Sequence, residues 1–419
     1  MFINSSHQNL IFKRVILFHL FVICSLLPIN QAHSKITNVE QETISPGLIH
    51  HRFIKYTSHG PVKINILEID TSKGFTVKPS LAQSNSIWGK ATVSNIVSNK
   101  GAIAGINANY FNSRGMPIGS LAIDKEWITG PVYNRASVSI DEAGNLGFAR
   151  PSVVGKLSVL KKSSKGSAIS AYYRSKKKNI PAQLILSVDN INQPDSLAGK
   201  DGVSFYNHWW QDKLSCGEGR ACVLVDRNGI VRTKISNYES TTLVQPTRND
   251  YVLTSLNSSN LEGVEIGDKL VLNWYSTPDW SSMSHVVGGG PYLLRKGQII
   301  IDEVREGFTK RSGINKTAPR TAIGMTKPGR LIWLTADGRQ KDSVGMNLQE
   351  LASLMKEIGV VEAINMDGGG STTMVLEGSV VNSPSERSGL RSVSTALLLF
   401  EPGHKASPWE GSIHGLGGP

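Results

Sequence analysis

Cysteine is scarce in this sequence of 419 residues, and long apolar runs are scarcer. The three cysteines lack the nearby Cys or His partners that a zinc site requires. The longest apolar run, from Val15 to Leu27, has about 13 residues, whereas a membrane-spanning helix needs roughly 20. The sequence also has no Gly-x-Ser-x-Gly motif, P-loop or dinucleotide fingerprint. These absences argue against a membrane-spanning chain, a serine hydrolase of that type and a nucleotide-binding enzyme.

The N-terminus has the order of a secretory signal. Lys13 and Arg14 precede the apolar run, and a short segment ending at Ser34 has the small residues of a cleavage site. We therefore predict that residues 1–34 are an export signal. The remaining chain is expected to be periplasmic or extracellular, with no transmembrane segment.

Two cysteines remain after the predicted signal. Cys216 and Cys222 lie six residues apart in a turn-rich stretch. An oxidising compartment favours a disulfide between them. The alternative is two buried thiols, and catalytic thiol chemistry is not predicted.

The charge balance favours anionic partners. The chain has 45 Lys and Arg against 33 Asp and Glu, and without residues 1–34 it keeps 43 against 33, a net charge of +10. A phosphate-bearing glycan fits that charge, whereas the export signal disfavours nucleic acid. The basic stretch from Lys161 to Lys178 indicates a solvated loop or, alternatively, a patch that binds a polyanion.

The first half of the chain shows strand patterns. Val62, Ile64 and Ile66 alternate with polar residues, which is typical of a half-buried strand. The turn-forming residues 71–74 then lead to a second strand around Val77, and we predict that the two strands open one antiparallel sheet. Residues 151–280 are expected to be a basic, loop-rich elaboration of the main sheet.

The C-terminal part predicts a strand, a helix and a strand. An apolar strand over residues 331–336 is followed by apolar residues at helical spacing from Leu348 to Ile358. Asn347 and Glu350 occupy the positions of a capping box, and a second strand follows over residues 363–366. We predict an α+β fold, namely a mixed β-sheet core with a C-terminal βαβ unit, in a domain over residues 35–402 with a tail at 403–419.

Two aspartates follow those strands. Because strands joined by a helical crossover run parallel, Asp337 and Asp367 are expected at one edge of the sheet, about 4.8 Å apart for neighbouring strands and about 10 Å apart with one strand between. Paired carboxylates suit glycosidic hydrolysis, where one group protonates the leaving oxygen and the other attacks the sugar or activates water. We predict both as catalytic, although each could also be an ordinary turn residue.

Glycine, hydroxyl, amide and guanidinium groups complete the predicted site. Glycine runs allow their N–H groups to surround an anion, hydroxyls and amides bind sugars, and arginine makes bidentate contacts with phosphate. Ordinary turn, strand and ion-pair roles remain open for all of these residues. The predicted substrate-binding residues are Asn107, Asn109, Gly288, Gly289, Gly290, Arg320, Arg339, Gly368, Gly369, Gly370, Ser371 and Thr372.

Five segments carry a family resemblance. In chain order they are GINANYFN from residue 105, GGGPYLL from 288, PRTAIGM from 319, LTADGR from 334 and NMDGGGSTTMV from 365. Together they resemble the phosphodiester glycosidase family over residues 60–400. The resemblance implies an enzyme that cleaves the bond between an anomeric carbon and a phosphate oxygen, of the N-acetylglucosamine-1-phosphodiester type, without a cofactor.

The expected substrate is a phosphate-linked envelope or extracellular polysaccharide. Two functions of other classes remain open: a non-catalytic glycan-binding module, and an accessory protein in exopolysaccharide biosynthesis. The sugar, the aglycone, the stereochemistry, any metal dependence, the oligomeric state and the division of roles between Asp337 and Asp367 do not follow from the sequence.

Overall fold

The structure is a computed structural model that describes residues 35–161, 184–217, 219–236 and 241–404. The predicted export signal, most of the predicted basic loop and all but the first two residues of the predicted tail lie outside these ranges.

Strands dominate the described residues. Over the described ranges the α-helices are α1 (Val93–Lys100) and α2 (Leu348–Glu357), and the short 3-10 helices are Thr71–Lys73, Asp195–Leu197, Ser258–Leu261, Lys310–Ser312 and Gly369–Ser371. The strands are β1 (Ile36–Ser45), β2 (Leu48–Thr57), β3 (Gly60–Ile69), β4 (Thr76–Leu81), β5 (Ala104–Asn107), β6 (Tyr110–Phe111), β7 (Pro117–Ile118), β8 (Leu121–Ile123), β9 (Glu126–Thr129), β10 (Ser137–Asp141), β11 (Leu146–Ala149), β12 (Ser152–Leu160), β13 (Leu184–Val188), β14 (Asn190–Ile191), β15 (Ser204–Tyr206), β16 (Leu214–Cys216), β17 (Ala221–Asp226), β18 (Val231–Ile235), β19 (Thr242–Val244), β20 (Asp250–Ser255), β21 (Lys269–Thr277), β22 (Met283–Gly288), β23 (Tyr292–Arg295), β24 (Gln298–Ile299), β25 (Arg320–Thr326), β26 (Leu331–Ala336), β27 (Val360–Asn365), β28 (Met374–Leu376), β29 (Ser379–Val380) and β30 (Thr395–Phe400).

The largest sheet has eight strands in the order β1-β2-β3-β26-β25-β27-β23-β24, and every neighbouring pair in it is antiparallel. The predicted C-terminal βαβ unit is not confirmed as a pair of neighbouring parallel strands; of the two spacings that the sequence left open, the one with a strand between β26 and β27 is present. β25 and β26 are joined by a tight turn at Lys327–Arg330 and pair as a hairpin, so β25 lies between β26 and β27. The fold is mostly β, with antiparallel sheets, rather than built on parallel strands.

Helix α2 covers one face of this sheet. Asn347 and Glu350 form the predicted capping box, in which each side chain accepts a hydrogen bond from the other residue's backbone N–H. Leu351 and Met355 are fully buried and pack in a cluster with Leu334 of β26. The helical spacing read from the sequence is therefore confirmed.

A second sheet, in the order β29-β28-β5-β30-β4, packs against the other face of the first. Trp333 of β26 is fully buried in this shared core with Ile106 of β5 and Leu397 of β30. The strand predicted around Val77 is present as β4, but β4 pairs with β30 instead of sharing a sheet with β3. That part of the sequence prediction was wrong because the turn after β3 carries the chain across to the second layer.

The middle of the chain forms further small sheets, including β13-β12-β21 and β14-β15-β20-β17-β18. β14 and β15 run parallel, which is the exception among the described strand pairs. Cys216 and Cys222 form the predicted disulfide bond. Among the residues described, no helix is both long and apolar enough to cross a lipid bilayer.

Candidate functional site

One edge of the eight-stranded sheet brings together three of the predicted residues. Arg320 begins β25 opposite Ala336, and Asp337 directly follows β26. The backbone N–H of Met366 donates to Thr321 of β25, so Asp367 lies at the same edge. Because one strand separates β26 from β27, their backbones are about 10 Å apart.

Asp367 is half-buried and lies where both sheets meet. Its backbone N–H donates to the carbonyl oxygen of Ala108, just beyond β5. Its carboxylate accepts hydrogen bonds from the Ser371 hydroxyl and the Gly368 N–H. Burial raises the pKa of Asp367 to about 6, although those two donors and the positive charge of Arg391 act to lower it. A carboxylate that is accessible and titrates near neutrality is suited to acid–base or nucleophilic work.

Asp337 has a different environment. It is 2% exposed, and its two carboxylate oxygens both accept from the N–H of Ser383, at 3.0 and 2.9 Å. The amide of Asn382 donates to one of these oxygens and to the carbonyl oxygen of Thr372. Burial raises the pKa of Asp337 to about 6 against the lowering effect of these donors. Asp337 thus holds residues 382–383 against residues 372–374. It also lines a cavity of about 370 Å³.

Gly368, Gly369 and Gly370 form a tight turn in which little room is left for a side chain. A Cβ atom at Gly368 would lie 2.9 Å from the carbonyl oxygen of Pro319, and one at Gly370 would lie 2.7 Å from the guanidinium carbon of Arg391. Gly369 has a φ of +62°, in the left-handed region that glycine favours. The close approach of chain segments around Asp367 therefore depends on these glycines.

Two arginines flank this turn. The Arg339 guanidinium lies within 3.0 Å of where a Cβ of Gly369 would be, and Arg339 is exposed. Arg391 lies over Gly370 and is paired with Glu386, at 2.9 Å from its Nε. Arg339 therefore adds, beside the turn that follows Asp367, a guanidinium that is unpaired among the described residues, whereas Arg391 shares its charge with Glu386.

Arg320 is buried rather than exposed at the site. Its guanidinium donates to the backbone carbonyls of Met346, at 2.8 Å, and of Lys316. Burial lowers the pKa of Arg320 to about 10. These contacts hold the chain before β25 to the start of α2, so the bidentate phosphate contact that the sequence suggested would require the side chain to leave its present partners.

The other predicted glycine run, Gly288–Gly290, brings strands close together. Its N–H groups donate to the carbonyl oxygens of Ser120, Ala136 and Asn365, at 2.6, 2.9 and 2.7 Å. These donors are therefore used within the protein and do not surround an anion in this arrangement. The run supports the site by joining the end of β22 to the end of β27.

Asn107 connects the second sheet to the site. It is fully buried, its amide donates to the carbonyl oxygen of Asp367 at 2.6 Å, and its oxygen accepts from the Thr321 hydroxyl and the Thr373 N–H. Asn109, also buried, bonds to Ser120 and Thr395. The sequence left open whether these amides bind sugar hydroxyls or satisfy backbone groups of the protein itself. The contacts favour the second role.

The hydroxyl groups after the glycine turn differ from each other. The Ser371 hydroxyl contacts Asp367, whereas the buried Thr372 hydroxyl has no hydrogen-bond partner among the residues that the structure describes. Both residues are about 1% exposed.

Sequence reasoning missed several residues around Asp367. The Tyr110 hydroxyl accepts from the amide of Asn365 at 2.8 Å and lies 2.9 Å from the carbonyl oxygen of Gly290. Its pKa is raised by burial and then by the negative charge of Asp367. The Arg135 guanidinium stacks on Phe308, 4.2 Å from the ring centroid, and lies 5.2 Å from that of Tyr110.

Only Tyr110 and Asn365 carried a usable signal, because both lie inside motifs that the sequence analysis quoted. Arg135 and Arg391 lie far from those motifs, and only the fold brings them to the site. Within the described part of the chain, no group of three or more His, Cys, Asp or Glu side chains is arranged to hold a metal ion.

Comparison with known proteins supports the resemblance. Residues 221–400 match the family model of phosphodiester glycosidases. The chain is 36% identical over 144 residues to N-acetylglucosamine-1-phosphodiester alpha-N-acetylglucosaminidase of Mus musculus, covering 31% of this chain. It spans 27% of the length of that relative.

Two solved structures share the fold. A hypothetical protein from Synechocystis has a TM-score of 0.73 at 22% identity, covering 87% of this chain and 64% of the other. A candidate exported protein from Burkholderia pseudomallei has a TM-score of 0.67 at 17% identity, covering 90% of this chain and 98% of the other.

Proposed function

We propose that this chain, whose residues 221–400 match the family model of phosphodiester glycosidases, is an exported enzyme that hydrolyses glycosyl phosphodiesters. The bond that breaks joins the anomeric carbon of the sugar to a phosphate oxygen. Water supplies a hydroxyl group to the sugar, and the phosphate leaves as a phosphomonoester.

The observation that carries this proposal is the environment of Asp367. Its carboxylate is half-buried, burial raises its pKa to about 6, and it precedes the glycine turn that Arg339 and Arg391 flank. The carboxylate form can supply an electron pair to the anomeric carbon, either directly or through a water molecule that it deprotonates. The arginines can stabilise the charge that develops on the leaving phosphate.

We assign Asp337 to positioning. Its carboxylate is already engaged by Asn382 and Ser383, and it lies under the surface. A phosphate is a good leaving group, so the reaction does not require a second carboxyl group to protonate it. Asp337 instead keeps residues 382–383, and through them Thr372, at the correct place behind the glycine turn.

The proposed substrate is a phosphate-linked polysaccharide of the cell envelope or the extracellular space. The signal-like N-terminus, the net positive charge of the remaining chain and the name of the Burkholderia structure support export and an anionic substrate. N-Acetylglucosamine 1-phosphodiesters are the first sugar class to test, because the mouse relative is named for them.

Hydrolysis in water labelled with oxygen-18 tests the reaction directly. Uridine diphosphate N-acetylglucosamine contains the required sugar–phosphate bond, whereas methyl N-acetylglucosaminide lacks phosphate and bis(p-nitrophenyl) phosphate lacks sugar. We expect turnover of the first compound, with the label on the anomeric carbon of the released sugar as measured by mass spectrometry. Label on the phosphate would instead identify a phosphodiesterase, and binding without turnover of any diester would identify a glycan-binding module.

The pH dependence of hydrolysis tests the protonation state of Asp367. Since the carboxylate is the reactive form, kcat/KM should rise with pH, with an inflection near pH 6. It should be about tenfold lower at pH 5 than on the plateau, because a tenth of the groups remain ionised one pH unit below the pKa. In Arg391→Gln the inflection should move to higher pH, because the positive charge that lowers the pKa is gone. A profile that falls as pH rises through 6 would make Asp367 a general acid.

A further inference from the structure

A second polar pocket lies at the far end of β22 from the glycine run. It has a volume of about 690 Å³ and is lined by residues of four segments: Thr71–Val77, Asp124–Lys125, Ile140–Gly144 and Ser284–His285. His285 and Gly288 are three residues apart on β22, so the pocket begins about 10 Å along the strand from that run. Its volume is in the range of small-molecule sites. We call it the Asp124–His285 pocket.

His285 offers a hydrogen-bond donor to this pocket. It is 6% exposed, and its Nδ1 accepts the backbone N–H of Asp124 at 3.2 Å. Nε2 therefore carries the proton of the neutral ring. Burial lowers the pKa of His285 to about 4, which keeps the ring neutral at physiological pH.

Asp124 provides the matching acceptor. One carboxylate oxygen lies 3.9 Å from Nε2 of His285, which is too long for a direct hydrogen bond. The other oxygen is 2.6 Å from Nζ of Lys78. A hydroxyl oxygen placed about 2.8 Å from both groups would accept from His285 and donate to Asp124.

The turn that carries Asp124 is also unusual. Asp124 and Lys125, between β8 and β9, have φ values of +51° and +66°. A two-residue hairpin with both residues in this region prefers Asn-Gly or Asp-Gly, so Lys125 is the residue that departs from the preference. Backbone strain of this kind concentrates at functional positions.

The charge of the pocket indicates what it does not bind. The pocket has three carboxylates, those of Asp124, Asp141 and Glu142. Two lysines oppose them, because Lys78 pairs with Asp124 and Lys125 pairs with Glu142, so negative charge is in excess. A phosphate group would be repelled, in contrast to the arginines beside Asp367. Hydroxyl groups of an uncharged ligand suit both the charge and the paired donor and acceptor.

We infer that the Asp124–His285 pocket is a second glycan-binding site that takes an uncharged sugar residue. It holds one sugar hydroxyl between Nε2 of His285 and the carboxylate of Asp124. This assignment uses the chemistry of the pocket itself and does not depend on turnover at Asp367.

Binding of free monosaccharides tests the inference. N-Acetylglucosamine, glucose and mannose are titrated into the protein and followed by ligand-observed NMR, with glucose 6-phosphate as the anionic comparison. We expect at least one uncharged sugar to bind with a Kd on the order of 1 mM, and glucose 6-phosphate to bind more weakly than glucose.

Variants locate the binding. Asp124→Asn removes the carboxylate, and Thr76→Trp fills the mouth of the pocket from an exposed position. Each should weaken sugar binding at least tenfold, while Thr242→Trp on exposed β19 should not. Asp367→Asn should bind as the unaltered protein does, which separates this site from the proposed active site.

The inference is overturned if no uncharged sugar binds, or if binding survives both pocket variants. Either result would assign the gap between His285 and Asp124 to a water molecule. Loss of binding in Asp367→Asn alone would place the sugar at the proposed active site. Far-ultraviolet circular dichroism and cooperative thermal unfolding like those of the unaltered protein would confirm that Asp124→Asn and Thr76→Trp are folded.

Discussion

Asp367→Asn is expected to lower kcat/KM for a glycosyl phosphodiester by about three orders of magnitude, in the range found for the loss of a group that transfers a proton or attacks the substrate. The substitution keeps the size of the side chain and an oxygen that can accept from Ser371 and Gly368, so the turn should persist. The measurement is steady-state hydrolysis at pH 8, where Asp367 is ionised.

The stability of the same variant should not fall at pH 8. The pKa of Asp367 is raised in the folded protein, so the folded state binds its proton more tightly than the unfolded chain does. Ionisation above about pH 6 therefore opposes folding, and asparagine removes that cost. Loss of activity with an unchanged or higher Tm is typical of a functional group kept at the expense of stability.

Asp226→Asn is a matched control. Asp226 also ends a strand, is half-buried and accepts backbone N–H groups, those of Asn228 and Ile230. It should leave kcat/KM unchanged. If Asp367→Asn retained more than a tenth of the activity, Asp367 would not be the reacting group, and Asp337 would be the next candidate.

Asn107→Ala is expected to affect both stability and activity. The substitution leaves the Thr321 hydroxyl, the Thr373 N–H and the Asp367 carbonyl oxygen without their buried partner. We expect a loss of about 2–4 kcal/mol in the free energy of unfolding, measured by urea denaturation. Activity should also fall by at least tenfold below the denaturation transition, because the backbone at Asp367 loses its link to the second sheet.

Asn109→Ala distinguishes this link from a general weakening of the core. Asn109 is equally buried and bonds to Ser120 and Thr395, but it has no contact with Asp367. Its loss should destabilise the protein while leaving the pH inflection and kcat of the remaining folded protein unchanged. Equal losses of kcat in the two variants would contradict a specific role for Asn107.

The sequence predicted those features that depend on neighbouring residues. The strand over residues 331–336, the helix with its capping box and the disulfide all follow from local spacing and composition. The common edge for Asp337 and Asp367 also followed from the strand–helix–strand order.

Partner choice between distant strands could not be predicted in the same way. The apolar pattern of β25 shows that it is buried, but not that it separates β26 from β27. The pattern around Val77 likewise identifies a strand without showing that it joins β30. The pattern of apolar residues in a strand shows that the strand is buried, whereas the choice of its neighbouring strand depends on residues far away in the chain.

Only those parts of the candidate site that lie within the sequence motifs could be predicted. Asp367 and the glycines lie within one short segment, so their proximity was evident. Arg391 reaches the site because its ion pair with Glu386 packs on Gly370, a contact that no spacing in the sequence reveals. The asparagines were recognised as unusual, but only the structure shows their bonds to backbone groups.

The hairpin of β25 and β26 also offers a practical handle for biochemistry. Its turn at Lys327–Arg330 lies at the end of the strands opposite Arg320 and Asp337, about 20 Å away for seven residues of strand. Lys327 and Pro328 are exposed. A fluorophore or a surface anchor attached there would face away from the proposed active site, so the protein could be immobilised with that site open to a polymer in solution.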